Sequence, residues 1–408
     1  MEVSGGPCKD DPMLRGAHRN PRQEEVVYGR PAADAVAEAA DSRGAHRVLI
    51  ATSRSLAGPE GLATTLAAAL GARSVGLFAG VSAHSPREAV IEGAEQARSS
   101  GCDLLVAVGG GSVIDATKVM QLCLWAGLRR PDDLDAYRAS VADHALRAKL
   151  QPGVRMLAVS TTLSAAEFTP FAGITDRAKG VKEGFAHPLL VPRTAVLDPA
   201  MTRRTPPELW ASTGLKAVDH AVEQLCNPLR APFADALASE GLRRLAIGLP
   251  ASAKSPEDLD ARLECQFGMW LAISGATSGR GMGASHAIGH TLGGTFGVPH
   301  GLTSCVTLPA VLRWNEEVDA DRQRLVGELL GRPGVSASRA VMALCRDLGL
   351  PTDLASVGIR PEQFRTIAEL TMHDPSIRTN PRPVRGPEDV IEILNLATCP
   401  EPFSDKSG

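Results

Sequence analysis

From Glu25 onward, short apolar runs alternate with longer stretches whose apolar residues recur every three or four positions. The runs are Val26 to Tyr28, Arg47 to Ala51, Val75 to Phe78 and Leu104 to Val108. A further strand is expected from Val154 through the ITD at Ile174 to Asp176, and Ala195 to Asp198 reads as the last. Between the first four lie PAADAVAEAADSRGA, EGLATTLAAALGA and REAVIEGAEQARSSG, all with helical spacing. Strands alternating with helices of this length predict parallel units with right-handed crossovers. Residues 25–205 are therefore expected to form an α/β nucleotide-binding-like domain. The two prolines of RRTPPELW mark a boundary near Thr205, and the pattern beyond it is helical. Many of those segments have Pro, Ser or Asp in front and Gly or Pro behind, as helix ends do. Residues 206–408 are expected to be all-α, and residues 1–24, polar and broken by Gly and Pro, a disordered tail.

The fourth run leads directly into GGGSVIDATKVM, Gly109 to Met120. Glycines let a strand turn abruptly and bring bare backbone against a ligand, and Ser112 is a natural N-cap for the helix that follows. The amide end of that helix suits a pyrophosphate, although a glycine run can also be only a tight turn. The spelling differs from GxGxxG, so the standard dinucleotide fold is not implied. Asp115 and Lys118, three apart on the new helix, can form a solvated ion pair. After Val159 come Ser160, Thr161, Thr162 and Ser164, hydroxyls at a strand end, where ligands sit in open α/β sheets. They can equally cap a helix.

In the helical half, Gly281 to Gly301 reads GMGASHAIGHTLGGTFGVPHG and holds three of the ten histidines. His286 and His290 are four apart and share a helix face. Gly293, Gly294, Gly297 and Pro299 are expected to end that helix and return His300 toward it. Such a cluster serves a metal or proton transfer, but the same spacing also serves two packed core histidines. His220 lies in the same half, so a cleft between the halves would set the strand-end loops against these imidazoles.

Composition changes this picture little. The chain of 408 residues is 44% hydrophobic and 22% charged, long enough for two domains with sizeable cores, while its aromatic content is only 4%. A formal charge of −3 gives no footprint for nucleic acid. The eight cysteines form no CxxC pair, so free thiols in a reducing cytoplasm are expected. No apolar run is long enough for a membrane span. The expected partner is a small-molecule substrate, and the expected assembly a homodimer.

GGGSVIDATK, TTLSAAEFT, GITD, GLKAVDHAVE and the histidine segment occur in the order and spacing of the iron-containing (group III) alcohol dehydrogenases, and the chain resembles that family over roughly residues 25–397. The family shares its fold with dehydroquinate synthase. FAGV with His84 nearby, TLSAAEFTPFAGITD, GTFGVPHGLTSCVTLPAVLRWN and NPRPV, ending at Val384, make it look most like the maleylacetate reductases. The resemblance implies that Gly109, Gly110, Gly111 and Ser112 bind the pyrophosphate of NADH or NADPH and that Asp115 braces their loop. It implies that Thr161, Thr162, Ser164 and Phe168 line the cofactor and nicotinamide, with Lys182 either near the cofactor or on the surface. Many NAD-using relatives have an acidic residue after the strand matching VLIAT. Here stand Ser53 and Arg54, which should tolerate a 2′-phosphate.

Metal-dependent members hold a divalent ion with one aspartate and three histidines, the first two in a DxxxH helix repeat. His220, His286 and His300 match the histidines, but Lys216 stands at the aspartate position. An ammonium there removes a ligand and adds like charge, so a metal is not expected. Asp219, one turn along, is expected to be a poor substitute. The likeness to maleylacetate reductases implies metal-free reduction of maleylacetate to 3-oxoadipate, a step of aromatic-ring catabolism. In that reading His290 is the proton donor or relay, Lys216 binds a carboxylate or polarises a carbonyl, and His84, His220, His286 and His300 line the substrate pocket. The alternative is that Lys216 reaches solvent from a degenerate site. The resemblance leaves two alternatives open: another carbonyl reductase or alcohol dehydrogenase, and a non-redox ligand-binding homologue.

Overall fold

A computed structural model describes residues 20–82, 85–141, 146, 150–277 and 281–398. The expected tail to residue 19 and His84 lie outside the described residues. Gln23 and Glu24, assigned to that tail, are held. Gln23 donates to the Glu167 carbonyl at 2.9 Å, and Glu24 pairs with Arg193 at 2.7 Å.

The first half is built on β1 (Glu25–Tyr28), β2 (Val48–Thr52), β3 (Ser74–Phe78), β4 (Leu104–Gly109), β5 (Arg155–Ser160) and β8 (Thr194–Leu197). They form one parallel sheet in the order β1-β8-β5-β4-β2-β3. Every residue of β2, β4 and β8 is buried, because helices cover both faces and an unbroken apolar run is what such strands need. Period two decides which face each side chain meets: Leu49, Ala51, Leu105 and Ala107 enter one core, and Val48, Ile50, Leu104 and Val106 the other. The crossover helices include α1 (Ala32–Ser42), α2 (Leu62–Leu70), α3 (Arg87–Ser99) and α4 (Gly111–Ala126).

The single strand expected from Val154 to Asp176 is instead two strands in different sheets. After β5 the chain leaves the sheet, and Ala165 takes a left-handed φ of 62°. The next strand, β6 (Phe171–Asp176), pairs antiparallel with β7 (Val181–Ala186), whose residues carried no strand expectation. Pro170, lacking an N–H, stands between the two parts of that run. The hairpin is pinned by Arg87, whose buried guanidinium meets Asp135 at 2.6 Å, Asp176 at 3.6 Å and Glu183. Those three carboxylates converge as a cation site would, but a guanidinium already lies against all of them.

Beyond Thr205 the described elements are α-helices and short 3-10 turns. They are α5 (Pro207–Leu225), α6 (Pro232–Lys254), α7 (Leu259–Ala276), α8 (Ala284–Phe296), α9 (His300–Asn315), α10 (Ala320–Leu329), α11 (Ala337–Asp347), α12 (Phe364–Thr371) and α13 (Pro387–Leu396). Pro250 lies inside α6, which runs a further turn to Lys254. Gly293 and Gly294 likewise lie inside α8, which ends at a left-handed Gly297. Helix α5 is the axis of this half, buried along nearly its whole length and packed against α6, α7 and α9. A side chain at Gly301 would meet Ser212 at 2.7 Å, so this glycine lets the start of α9 lie directly on α5. No described helix is long and apolar enough to cross a membrane.

Candidate active site

Two walls carry the candidate chemistry. On the first, β4 and β5 end side by side, Gly109 opposite Ser160, and the chain turns into α4. The N-cap of that helix is Gly110 and not Ser112, whose position falls within the first turn and whose carbonyl accepts from Ser85 at 2.6 Å. The sequence expectation failed because bare glycine backbone makes the turn itself. A Cβ at Gly110 would meet Thr162 at 2.8 Å, and one at Gly111 would meet Ser164 at 3.1 Å, so the glycine turn rests on the hydroxyl loop. Thr162 Oγ1 and Ser164 Oγ are buried there without a hydrogen-bond partner. Helix-start amides, glycine backbone and two unsatisfied hydroxyls fit the pyrophosphate end of a nicotinamide dinucleotide.

Other residues expected at the cofactor hold the loop instead. Thr161 donates its N–H to Gly109 O at 3.1 Å and accepts from Thr205 at 2.6 Å. Asp115 accepts from Gly173 N at 3.0 Å, tying α4 to β6 and not to the glycine turn. Lys118 is no solvated partner of Asp115: it is fully buried, and its ammonium donates to Ala166 O and Phe171 O, each at 2.6 Å. Burial, only partly offset by Asp115 and Glu167, lowers its pKa. Phe168 does not line the nicotinamide face, because its ring is buried in the helical core and stacked 5.8 Å from Trp270. Ser53 follows β2 and shares a 2.9 Å hydroxyl contact with Ser55, and Arg54 beside it is exposed. Lys182 lies on the open side of β7, which packs against α8.

The second wall is made by α5, α8 and α9. Lys216, Asp219, His220 and Glu223 are spaced 3, 1 and 3 apart, a single stripe of α5, and all are buried. Lys216 neither reaches solvent nor stands alone: its ammonium lies 3.3 Å from Asp219 Oδ2 and 3.1 Å from Ser304 Oγ. Asp219 is thus at the centre of the site, not turned away from it. The same Oδ2 accepts from Ser304 at 2.5 Å and from Ser285 at 3.1 Å. Burial would raise the Asp219 carboxyl, but His286, Lys216 and Ser304 overcome it and hold its pKa below the ordinary range.

Glu223, to which the sequence reading gave no role, caps the start of α8. It accepts from Gly283 N and Ser285 N, both at 2.7 Å, and meets His286 Nδ1 at 2.7 Å. Burial, then the charge of Asp219, pushes it up to about 8, against the pull of its backbone donors. His286 is lowered to about 3 by burial, which outweighs Asp219, so the ring is neutral near pH 7. His220 is likewise held well below its ordinary value by burial, then by His286 and Lys216. The rings form a row, with centroids 5.0 Å apart from His220 to His286, 6.0 Å to His290 and 6.0 Å on to His300. Although His300 keeps open surface, the protein around its ring lowers its basicity, followed by Lys216, His290 and Lys182. His290 Nδ1 meets Asp374 Oδ2 at 2.7 Å, a partner with no sequence signal.

This donor set does not fit a divalent ion at the expected position, where an ammonium stands in place of a carboxylate. The deeper trio of Asp219, Glu223 and His286 has ligand atoms close enough for an ion, but they already hydrogen-bond one another and the start of α8. His220 Nδ1, His286 Nε2 and Asp219 Oδ1 are buried without partners, the polar atoms this wall leaves to a ligand.

Two family models divide the chain between them. "Iron-containing alcohol dehydrogenase" matches residues 23–199, and "Fe-containing alcohol dehydrogenase family, C-terminal" matches residues 210–398. The chain belongs to the iron-containing alcohol dehydrogenase family. It is accordingly an NAD(P)H-dependent oxidoreductase. Maleylacetate reductase of Burkholderia cepacia is 32% identical over 91% of this chain and 95% of its own length. Lactaldehyde reductase of Escherichia coli is 31% identical over 93% of this chain and 100% of its own. The crystal structure of maleylacetate reductase from Agrobacterium tumefaciens superposes with a TM-score of 0.79 at 27% identity, covering 95% of this chain and 99% of that one. For an iron-containing alcohol dehydrogenase, the departure at Lys216 is the feature that any account of activity must explain.

Proposed function

We propose that this chain reduces a short 4-oxo-alkenoate of the maleylacetate type without a catalytic metal. The observation that carries the reading is the buried Lys216–Asp219 pair at the expected metal position, beside the neutral imidazole of His286. Nicotinamide, when bound, supplies a hydride. Gly109 to Gly111, Thr162 and Ser164 would hold its pyrophosphate. Lys216 would supply fixed positive charge toward the carbonyl or carboxylate on which negative charge develops, as an oxyanion-hole donor does. His220, His286 and His300, as neutral imidazoles, would donate hydrogen bonds to substrate oxygens. His290 would deliver the proton that completes saturation, so that maleylacetate, NAD(P)H and one proton yield 3-oxoadipate and NAD(P)⁺. Exposed Arg54 and the absence of an acidic side chain at Ser53 favour use of NADPH at least as well as NADH.

A second reading, reduction of a simple aldehyde, is favoured by the full-length match to lactaldehyde reductase. Oxidation of NADPH and NADH assayed with maleylacetate and with lactaldehyde, with and without chelator, separates the two. The expected result is turnover of maleylacetate that survives chelation, with kcat/KM for NADPH no less than that for NADH. Turnover of the aldehyde alone, or activity restored only by added iron or zinc, overturns the proposal. So does a kcat/KM for NADH more than about tenfold higher, a gap of about 1.4 kcal/mol, for its cofactor part.

A further inference from the structure

Asp374 stands in a short turn far from α8 in sequence, at the N-cap of Pro375–Thr379. Its two oxygens do different things. Oδ1 accepts from Ser376 N at 2.8 Å and fixes the turn, while Oδ2 lies 2.7 Å from His290 Nδ1. Its side chain is 18% exposed, against 46% for His290, so the carboxylate is the sheltered member of the pair and the imidazole the one open to water. Burial would raise the Asp374 carboxyl, but the hydrogen bond and charge of His290, with Ser376, hold it below its ordinary value.

A carboxylate can only accept at that contact, so the ring nitrogen facing it must carry the proton. We propose that Asp374 is a positioning residue that keeps a proton on His290 Nδ1 and leaves Nε2 as the nitrogen that exchanges protons with substrate and water. The inference rests on the proton-donor reading of His290 given above. It also places the donor where it can be recharged: His290 sits between solvent and the inner row of His286 and His220. Asp374 itself never exchanges a proton, and its part is to select the tautomer and orient the ring.

Asp374→Asn is a discriminating test, because asparagine is also a good N-cap and keeps an oxygen for Ser376 N. Its amide turned to His290 donates instead of accepting, which forces the opposite tautomer. The expected result is a ¹⁵N signature of His290 that moves from protonated Nδ1 to protonated Nε2. With it, kcat should fall about ten- to a hundredfold while KM for NADPH stays within about twofold. An unchanged tautomer overturns the positioning role, whatever happens to activity. A changed tautomer with unchanged kcat leaves the orientation correct and overturns the proton-donor reading on which it rests. His290→Ala separates the two, since a donor's loss should lower kcat about a hundredfold or more. Asp374→Ala in the His290→Ala background should then add little.

Discussion

The two walls both leave buried polar atoms unpaired, yet they meet a ligand differently. At the glycine turn the open groups are neutral hydroxyls, Thr162 Oγ1 and Ser164 Oγ, beside helix-start amides, and the charge must come with the ligand. On α5 the site carries its own cation: Lys216 is buried against Asp219, whose Oδ2 also accepts from Ser285 and Ser304. On the proposed reading the first wall is a socket for an anion, and the second already holds part of its counter-charge. A site that takes its charge from the ligand and one that carries its own can thus share one fold.

The comparison breaks most sharply at the socket. Gly110→Val would drive a branched side chain into Thr162. Its dissociation constant for reduced nicotinamide dinucleotide, read by fluorescence titration, should rise about a hundredfold or more. Unchanged circular dichroism would show that the fold survives, and undiminished binding would remove the glycine turn from the cofactor site. On the other wall, Lys216→Met leaves Asp219 buried without its ammonium. Urea unfolding should show a loss of about 3 kcal/mol, largely recovered in Lys216→Met/Asp219→Leu. Equal losses in the single and double variants would mean that the pair is not coupled.

The smallest effect lies in how the walls respond to acid and base. Glu167, beneath the hydroxyl loop and fully buried, is raised by burial from an ordinary 4.5 to about 7. A folded pKa above the unfolded one means stability is greatest below pH 4.5 and falls as pH climbs through about 7. Asp219, held below its ordinary range, does the reverse and weakens the fold as pH drops beneath 3.8. Melting temperature measured against pH should therefore decline less for Glu167→Gln than for the unaltered chain between pH 4.5 and 7. The acid limb should stay the same in both proteins. Parallel curves across that window would show that Glu167 does not titrate there.

Strands β2 and β4 were legible because each is a continuous buried run, VLIAT and LLVAV, and such runs have few alternatives between helical segments. The glycine turn was legible for the same local reason. The β6–β7 hairpin was not, because its support is the distant Arg87 cluster and its alternating exposure on a short run is a weak signal. In the site, Lys216 could be singled out from one position in a motif, while its partners required the fold. Glu223 had a usable sign in its place on the same stripe as Lys216, Asp219 and His220. Asp374 had none, since the 84 positions between it and His290 are joined only by packing. Phe168 was misplaced because nearness along the chain does not say which core a ring enters.

The buried pair on α5 also constrains how this sequence can change. Lys216→Asp alone would set a new carboxylate beside the charged Asp219, two like charges in a dry interior. Asp219 altered alone strands the ammonium. Each residue is the condition for the other, so changing either one by itself passes through a poorly stable chain. The ion pair is in that sense a ratchet, because the two positions change together or at a cost in stability.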